Sequence, residues 1–329
     1  MLTRTLALAS LLFVFGVTAC GGSKKSASQS VVDAGHDAAA VKDSGKPRPD
    51  AGRADAGHAQ GSDAGDAGDA GDGSMPLLGK YDLLCTGAGL GIDARQDVMP
   101  VFDATGALTA YTAGADEAPT LGTSRVSEVG GDDTVSVGRW NAGKMGGVFQ
   151  PSTFSWTANE GFHYAIGRRS AAIPTTGSTR YDLLAATAPT LGGGAFKPGT
   201  ASGSVNIAWT DPPRVAVDLT FKVPGDATYR VLSKGGIGDP SQSELFVGAN
   251  APPYRVDADY SRALYIQVTS PGSACIGGTP DDAGVTPCMA TINAWLLGTQ
   301  ADHLGMSIVV VAPNNAAHAL HAALSFKKR

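Results

Sequence analysis

Between Ser204 and Val223 apolar and polar residues alternate with a period of two, interrupted only by Thr210-Asp211-Pro212-Pro213-Arg214. Successive side chains on a strand face opposite ways. Val205, Ile207 and Trp209, then Val215, Val217, Leu219, Phe221 and Val223, therefore share one face, and Asn206, Asp218, Thr220 and Lys222 take the other. Both prolines sit in the connection, where a missing amide hydrogen breaks no ladder. The stretch reads as an antiparallel hairpin with one face on a core and the other in water.

The rest of the chain from Met75 repeats this grammar of short strands and Gly, Asp, Asn or Pro turns. Strands are expected at Lys80 to Cys85, Val98 to Asp103, Ala107 to Thr112, Thr134 to Trp140, Gly147 to Gln150 and Phe162 to Ile166, forming a small antiparallel lobe over 75–170. Eight more are expected over 171–329: Thr179 to Ala185, Gly203 to Trp209, Val215 to Val223, Thr228 to Ser233, Ala263 to Val268, Met289 to Leu297, Met306 to Val311 and Ala317 to Lys327. Eight antiparallel strands can close into an up-and-down β-barrel just wide enough for side chains or one small ligand. A two-sheet sandwich is the rival. The fold class is all-β, and only Ala316 to Leu324 offers a helical alternative. Lys80-Tyr81-Asp82-Leu83-Leu84 recurs as Arg180-Tyr181-Asp182-Leu183-Leu184, either marking two lobes that begin alike or arising by coincidence.

The first residues carry an address rather than a fold. Arg4 precedes an apolar run, Leu6 to Val17, that is too short to span about 30 Å of hydrocarbon and fits a signal peptide over 1–19. Val17-Thr18-Ala19-Cys20 resembles the lipobox of bacterial lipoproteins, which implies lipidation of Cys20 and anchoring to the outer membrane. From 20 to 74 the chain lacks aromatic residues, Leu and Ile, and repeats Asp-Ala-Gly. Such a segment cannot bury enough apolar surface to offset its ordering entropy, and a disordered tether averaging about 40 Å end to end is expected. Lys24 and Lys25 lie at its membrane end and Asp63, Asp66, Asp69 and Asp72 at the other, which suits an anionic headgroup surface. The repeat has no turn that would gather six to eight oxygens around calcium. With 25 Lys and Arg against 30 Asp and Glu and no basic cluster beyond the last three residues, no nucleic-acid partner is expected.

Near the C-terminus, Trp295-Leu296-Leu297-Gly298-Thr299-Gln300-Ala301-Asp302-His303-Leu304-Gly305 resembles the strand and turn, aromatic-x-x-Gly-x-x-Ala-x-x-x-Gly, of the C-terminal β-barrel of transferrin-binding surface lipoproteins. Gly138-Arg139-Trp140, His163-Tyr164-Ala165-Ile166-Gly167 with Pro174, Gly177 and Tyr181, and the closing Phe326-Lys327-Lys328 are similar to the same group. Thr299 and His303 depart from the family's usual Pro and Glu. The resemblance implies a barrel and a cell-envelope address; no binding residue carries over, and iron acquisition is implied only faintly.

No Gly-x-Ser-x-Gly elbow, Walker loop or His-Glu-x-x-His helix is present, and no catalytic residue, metal site or cofactor is assigned. His318 and His321 fall on opposite faces of a strand, though on one face of a helix. Cys275 and Cys288 bracket a polar loop in an oxidising compartment and are the candidate disulfide, leaving Cys85 as a buried free thiol beside Leu83. The connection from Lys234 to Arg262 is too long for a hairpin and holds Phe246, Tyr254 and Tyr260, the candidate ligand-binding residues; a cap on one end of the barrel is the alternative. The expected function is that of a lipid-anchored envelope protein binding a protein or small ligand through its loops. A structural envelope component without a ligand is the second reading and a hydrolytic enzyme the third.

Overall fold

The computed structural model describes residues 81–149, 153–248, 255–258, 264–269, 288–311 and 316–329, which belong to one compact unit spanning Gly73–Arg329. The signal segment, Cys20 and the tether lie outside the described residues, as do Tyr254, Tyr260 and Cys275. The described chain is all-β. The first strands are β1 (Tyr81–Gly87), β2 (Gly91–Phe102), β3 (Leu108–Thr112), β4 (Ala118–Thr120), β5 (Arg125–Gly131), β6 (Val135–Asn141), β7 (Gly143–Lys144), β8 (Gly146–Val148), β9 (Ser155–Trp156) and β10 (Phe162–Arg168). There follow β11 (Ser178–Ala186), β12 (Thr190–Leu191), β13 (Thr200–Ala208), β14 (Arg214–Lys222), β15 (Thr228–Ser233), β16 (Val247–Gly248), β17 (Arg255–Ala258), β18 (Leu264–Thr269), β19 (Met289–Leu297), β20 (His303–Val311) and β21 (Leu320–Lys328). Ala316–His318 forms one turn of 3₁₀-helix before β21, so the Ala-rich segment is a strand with a short helical start.

The expected hairpin is β13–β14, with Val205 opposite Val217 and Ile207 opposite Val215. All eight residues of its apolar face are at most 3% exposed. All eight strands expected over 171–329 are present and antiparallel, in the spatial order β19-β20-β21-β11-β13-β14-β15-β18. The ring closes by a route the alternation did not reveal. The Val215 amide donates to Leu245 O and the Val247 amide to Pro213 O, both at 2.9 Å, so the segment ending in β16 runs beside the start of β14. It pairs in turn with β17, and β17 with β19. A hydrogen-bonded circuit thus passes through β14, β16, β17, β19, β20, β21, β11 and β13. β15 and β18 extend the other half of the β14 edge. Tyr181, Phe221, Tyr229, Phe326 and the apolar rows between them fill the interior.

The lobe is an antiparallel sheet ordered β5-β6-β10-β1-β2-β3-β4-β8. One face collects Tyr81, Tyr111, Trp140, Phe162 and Tyr164 into an aromatic core, with Trp140 and Phe162 centroids 5.0 Å apart. The other packs on the barrel wall: Leu84, Val135, Val137 and Ala165 bury against Trp295, Leu297 and Ala323. Both faces of β1 and β6 are therefore buried along their whole length.

That contact explains the aromatic-to-glycine spacing of the strand-turn segment. Gly298, at φ +81°, begins the β19–β20 turn, where a Cβ would lie 1.7 Å from Asp302 Oδ1. Ala301 follows at φ +53°, its amide donating to Ser170 Oγ and its carbonyl accepting from Tyr181 OH. At Gly305, opposite Trp295, a Cβ would meet Leu297 at 3.1 Å and Ala165 at 3.6 Å, so glycine lets the lobe approach.

Two expectations need correction. Lys234 to Arg262 is not one irregular connection: Leu245, Val247 and Val256 are at most 2% exposed and belong to the barrel core, which makes the segment partly wall. The Tyr-Asp-Leu-Leu repeat does not mark equivalent environments, because Asp82 is buried against Arg169 whereas Asp182 is half-exposed beside Arg180.

Candidate functional site

The seam where the ring closes is built by the handover of one strand edge. β14 bonds β15 from Asp218 to Lys222, and Ser233 Oγ then accepts the Val217 amide at 3.0 Å, ending that ladder. The chain returns along residues 234–244, held by Asn206 Nδ2 donating to Ile237 O at 3.0 Å and Arg214 Nη1 donating to Ser243 O at 2.9 Å. Ser243 Oγ donates to Val215 O and accepts the Leu245 amide, fixing the register of the closing strand. Alternation does the rest: Leu245 and Val247 point inward, and Phe246, opposite Arg214, is 50% exposed.

Among the described residues five large apolar side chains are exposed, and the other four, Met99, Val101, Val129 and Val148, are on the lobe. Among the described residues Phe246 is thus the one exposed large apolar side chain on the barrel, beside Arg214. A concavity of about 380 Å³, lined by Leu232, Ser233, Gly235, Tyr265 and Ile266, opens where β15 ends. Of the three residues expected to bind ligand, the structure positions Phe246; Tyr254 and Tyr260 lie outside the described residues.

A second set of polar groups lies between lobe and barrel. Thr187 Oγ1 donates to Ala323 O and so accepts from His163 Nδ1–H at 2.8 Å, leaving His163 Nε2 to accept from Thr190 Oγ1, also at 2.8 Å. By the same logic Thr86 Oγ1, which donates to Gly91 O, accepts from His321 Nδ1–H at 2.8 Å. Burial holds both imidazoles below the usual histidine value, His163 well below, with Arg139 adding, and His321 at about 3. Asp132 joins His303 Nε2 and Lys327 Nζ, each at 2.9 Å. Burial pushes its carboxyl up, but the bonds from Lys327, the Thr134 amide and His303 outweigh that and bring it to about 2.

Inside the lobe, Arg95 is clamped between Asp93 at 2.6 Å and Glu117 at 2.7 Å, and Tyr111 OH donates to Glu117 at 2.8 Å. Burial outweighs the Arg95 charge at Asp93 and lifts its carboxyl to about 6. Cys85, beside this cluster, is outside any disulfide and 2% exposed. Among the described residues no three His, Cys, Asp or Glu side chains gather to hold a metal ion. Cys288 is buried at the head of β19, and its expected partner, Cys275, lies outside the described residues.

Sequence reasoning missed the roles of Leu245 and Val247, of Arg95 with Asp93, and of His321. Only Leu245-Phe246-Val247 carried a signal, a three-residue apolar run inside an otherwise polar connection.

No protein-family model matches the chain, and no curated protein sequence matches it. Among solved structures the chain is similar to the crystal structure of the isotype 1 transferrin binding protein B from serogroup B Neisseria meningitidis. The TM-score is 0.33 at 12% identity, over 76% of this chain and 43% of that one. The likeness is distant, and this chain spans less than half of that protein's length.

Proposed function

We propose that the protein is a lipid-anchored component of the outer membrane that acts as a binding module, not an enzyme, and engages a protein or small-molecule partner at the barrel seam. The observation behind this reading is Phe246, half exposed between two core residues on a strand fixed by backbone hydrogen bonds at both neighbours. A rigidly presented aromatic ring loses little rotamer entropy on contact, which is why such residues dominate binding hot spots. A concavity at the end of β15, where the same connection begins, supplies shape, and Tyr254 and Tyr260 follow Phe246 in that connection. The lipobox-like Val17-Thr18-Ala19-Cys20 supplies the address, and the Asp-Ala-Gly segment the reach.

A photo-crosslinking residue in place of Phe246 in the full-length, lipidated protein tests the reading in cells, with the same group at exposed Lys222 as reference. The expected result is a discrete adduct from position 246 and none from 222. Equal labelling from both positions, or none from 246, overturns the proposal.

A further inference from the structure

Across β19, β20 and β21 the outward residues Thr291, Val309 and His321 form one row, since Thr291 is opposite Val309 and Val309 opposite His321. The β1–β2 turn of the lobe overhangs this row without touching down on all of it. Between them lies a cavity of about 370 Å³ lined by Gly89, Ile92, Val309, Ala317, Ala319 and His321, among others, none of them charged by nature except His321. Its volume is at the lower end of the range for small-molecule sites. Gly89, Gly91 and Ala317 are exposed, so the cavity has a mouth on the surface.

Two polar side chains, Thr291 and His321, line the cavity, and His321 brings a nitrogen acceptor to it. His321 is 3% exposed, and its Nδ1–H is committed to Thr86, whose own proton goes to Gly91 O. Nε2 is then the unprotonated nitrogen, and it has no hydrogen-bond partner. As part of the cavity lining it offers a lone pair that a matching donor can engage. Burial keeps the ring neutral far below physiological pH, so Nε2 remains an acceptor. An anion would face its lone pair, and a cation would be buried in an apolar cavity with no carboxylate in the lining.

We propose that this cavity binds a small uncharged molecule with an apolar body and a single hydroxyl or N–H donor, which bonds His321 Nε2. The site is independent of the seam around Phe246. Titration calorimetry on the full-length protein with 4-ethylphenol and benzyl alcohol, against 4-ethylanisole and benzyl methyl ether, isolates the donor. Each ether keeps the apolar body and lacks the proton. The alcohols are expected to bind about tenfold or more tightly than their ethers, the loss that goes with one hydrogen bond. His321→Phe should abolish that preference. Because His321→Phe also removes the Thr86 bond, Ala317→Trp at the exposed rim provides a second variant, which should abolish binding of both probes. Equal affinity for alcohol and ether, no saturable binding of any probe, or binding that survives Ala317→Trp overturns the assignment.

Discussion

Thr86 and His321 stand 235 positions apart and meet in a 2.8 Å hydrogen bond at the face where the lobe packs on the barrel. With His163, held by Thr187 and Thr190, they form a neutral polar layer in that contact, beside the Asp132–Lys327 ion pair. Burial holds both imidazoles uncharged.

That neutrality makes the fold acid-sensitive through these two residues. Their folded-state values lie below the unfolded value near 6.5, so the unfolded chain takes up protons first. Their contribution is intact above about pH 6.5 and is lost as pH falls, for His321 down to about 3. Each group then costs about 1.4 kcal/mol per pH unit in that window. Asp93, raised to about 6, works the other way between about pH 6 and 4 and partly offsets the loss. The comparison of variants separates the terms: urea unfolding of His321→Gln between pH 6 and 4 should show a slope shallower by about 1.4 kcal/mol per unit. Parallel curves for variant and parent would show that His321 is not buried neutral.

The lobe–barrel contact has little room to spare. At Gly167 an added Cβ would lie 2.6 Å from Leu297 Cδ1 and 2.8 Å from Thr134 O. Gly167→Ala should therefore destabilise the domain by about 1–3 kcal/mol, as overpacking does in a filled core. Thermal unfolding measures it, and an unchanged midpoint would mean the two sheets do not pack as described.

Strands were legible where one face meets water. In β13 and β14 polar residues mark the wet side, and both boundaries and register follow from them. In β1 all seven residues are buried, because Leu83 and Cys85 enter the lobe core while Leu84 and Thr86 face the barrel, and the period vanishes. β1 was nonetheless expected at Lys80 to Cys85, two residues short of its end, whereas β5 was missed: Val126 and Val129 are displaced from strict alternation by a bulge, and its glycines read as turn. The ring closure at Leu245 and Val247 and the Thr86–His321 contact depend on partners far away in sequence, which no local pattern records.

Cysteine chemistry gives two further tests. Lipidation requires Cys20 of the lipobox-like segment, so Cys20→Ala should move the protein from the detergent phase to the aqueous phase; retention in detergent would refute the anchor. A Cys275–Cys288 bridge would close a loop of about 14 residues and contribute about 3 kcal/mol by chain entropy. An unreduced peptide map should recover that pair, and recovery of Cys85 in a bridge would contradict both the pairing and the buried, unbridged position of Cys85.

The central claim is that one strand does two jobs, closing the barrel through Leu245 and presenting Phe246 to a partner. Paired variants at these adjacent positions test it most directly, with thermal midpoint and co-purification of the partner identified by crosslinking from position 246 both measured, the variants themselves carrying no crosslinker. Leu245→Ala, which empties a core position 2% exposed, should cost about 2–5 kcal/mol and lower the midpoint by on the order of 10 °C. Phe246→Ala should leave the midpoint nearly unchanged and abolish capture. A midpoint lowered by several degrees in Phe246→Ala, with capture intact, would show the ring to be a cap on the barrel and contradict the account.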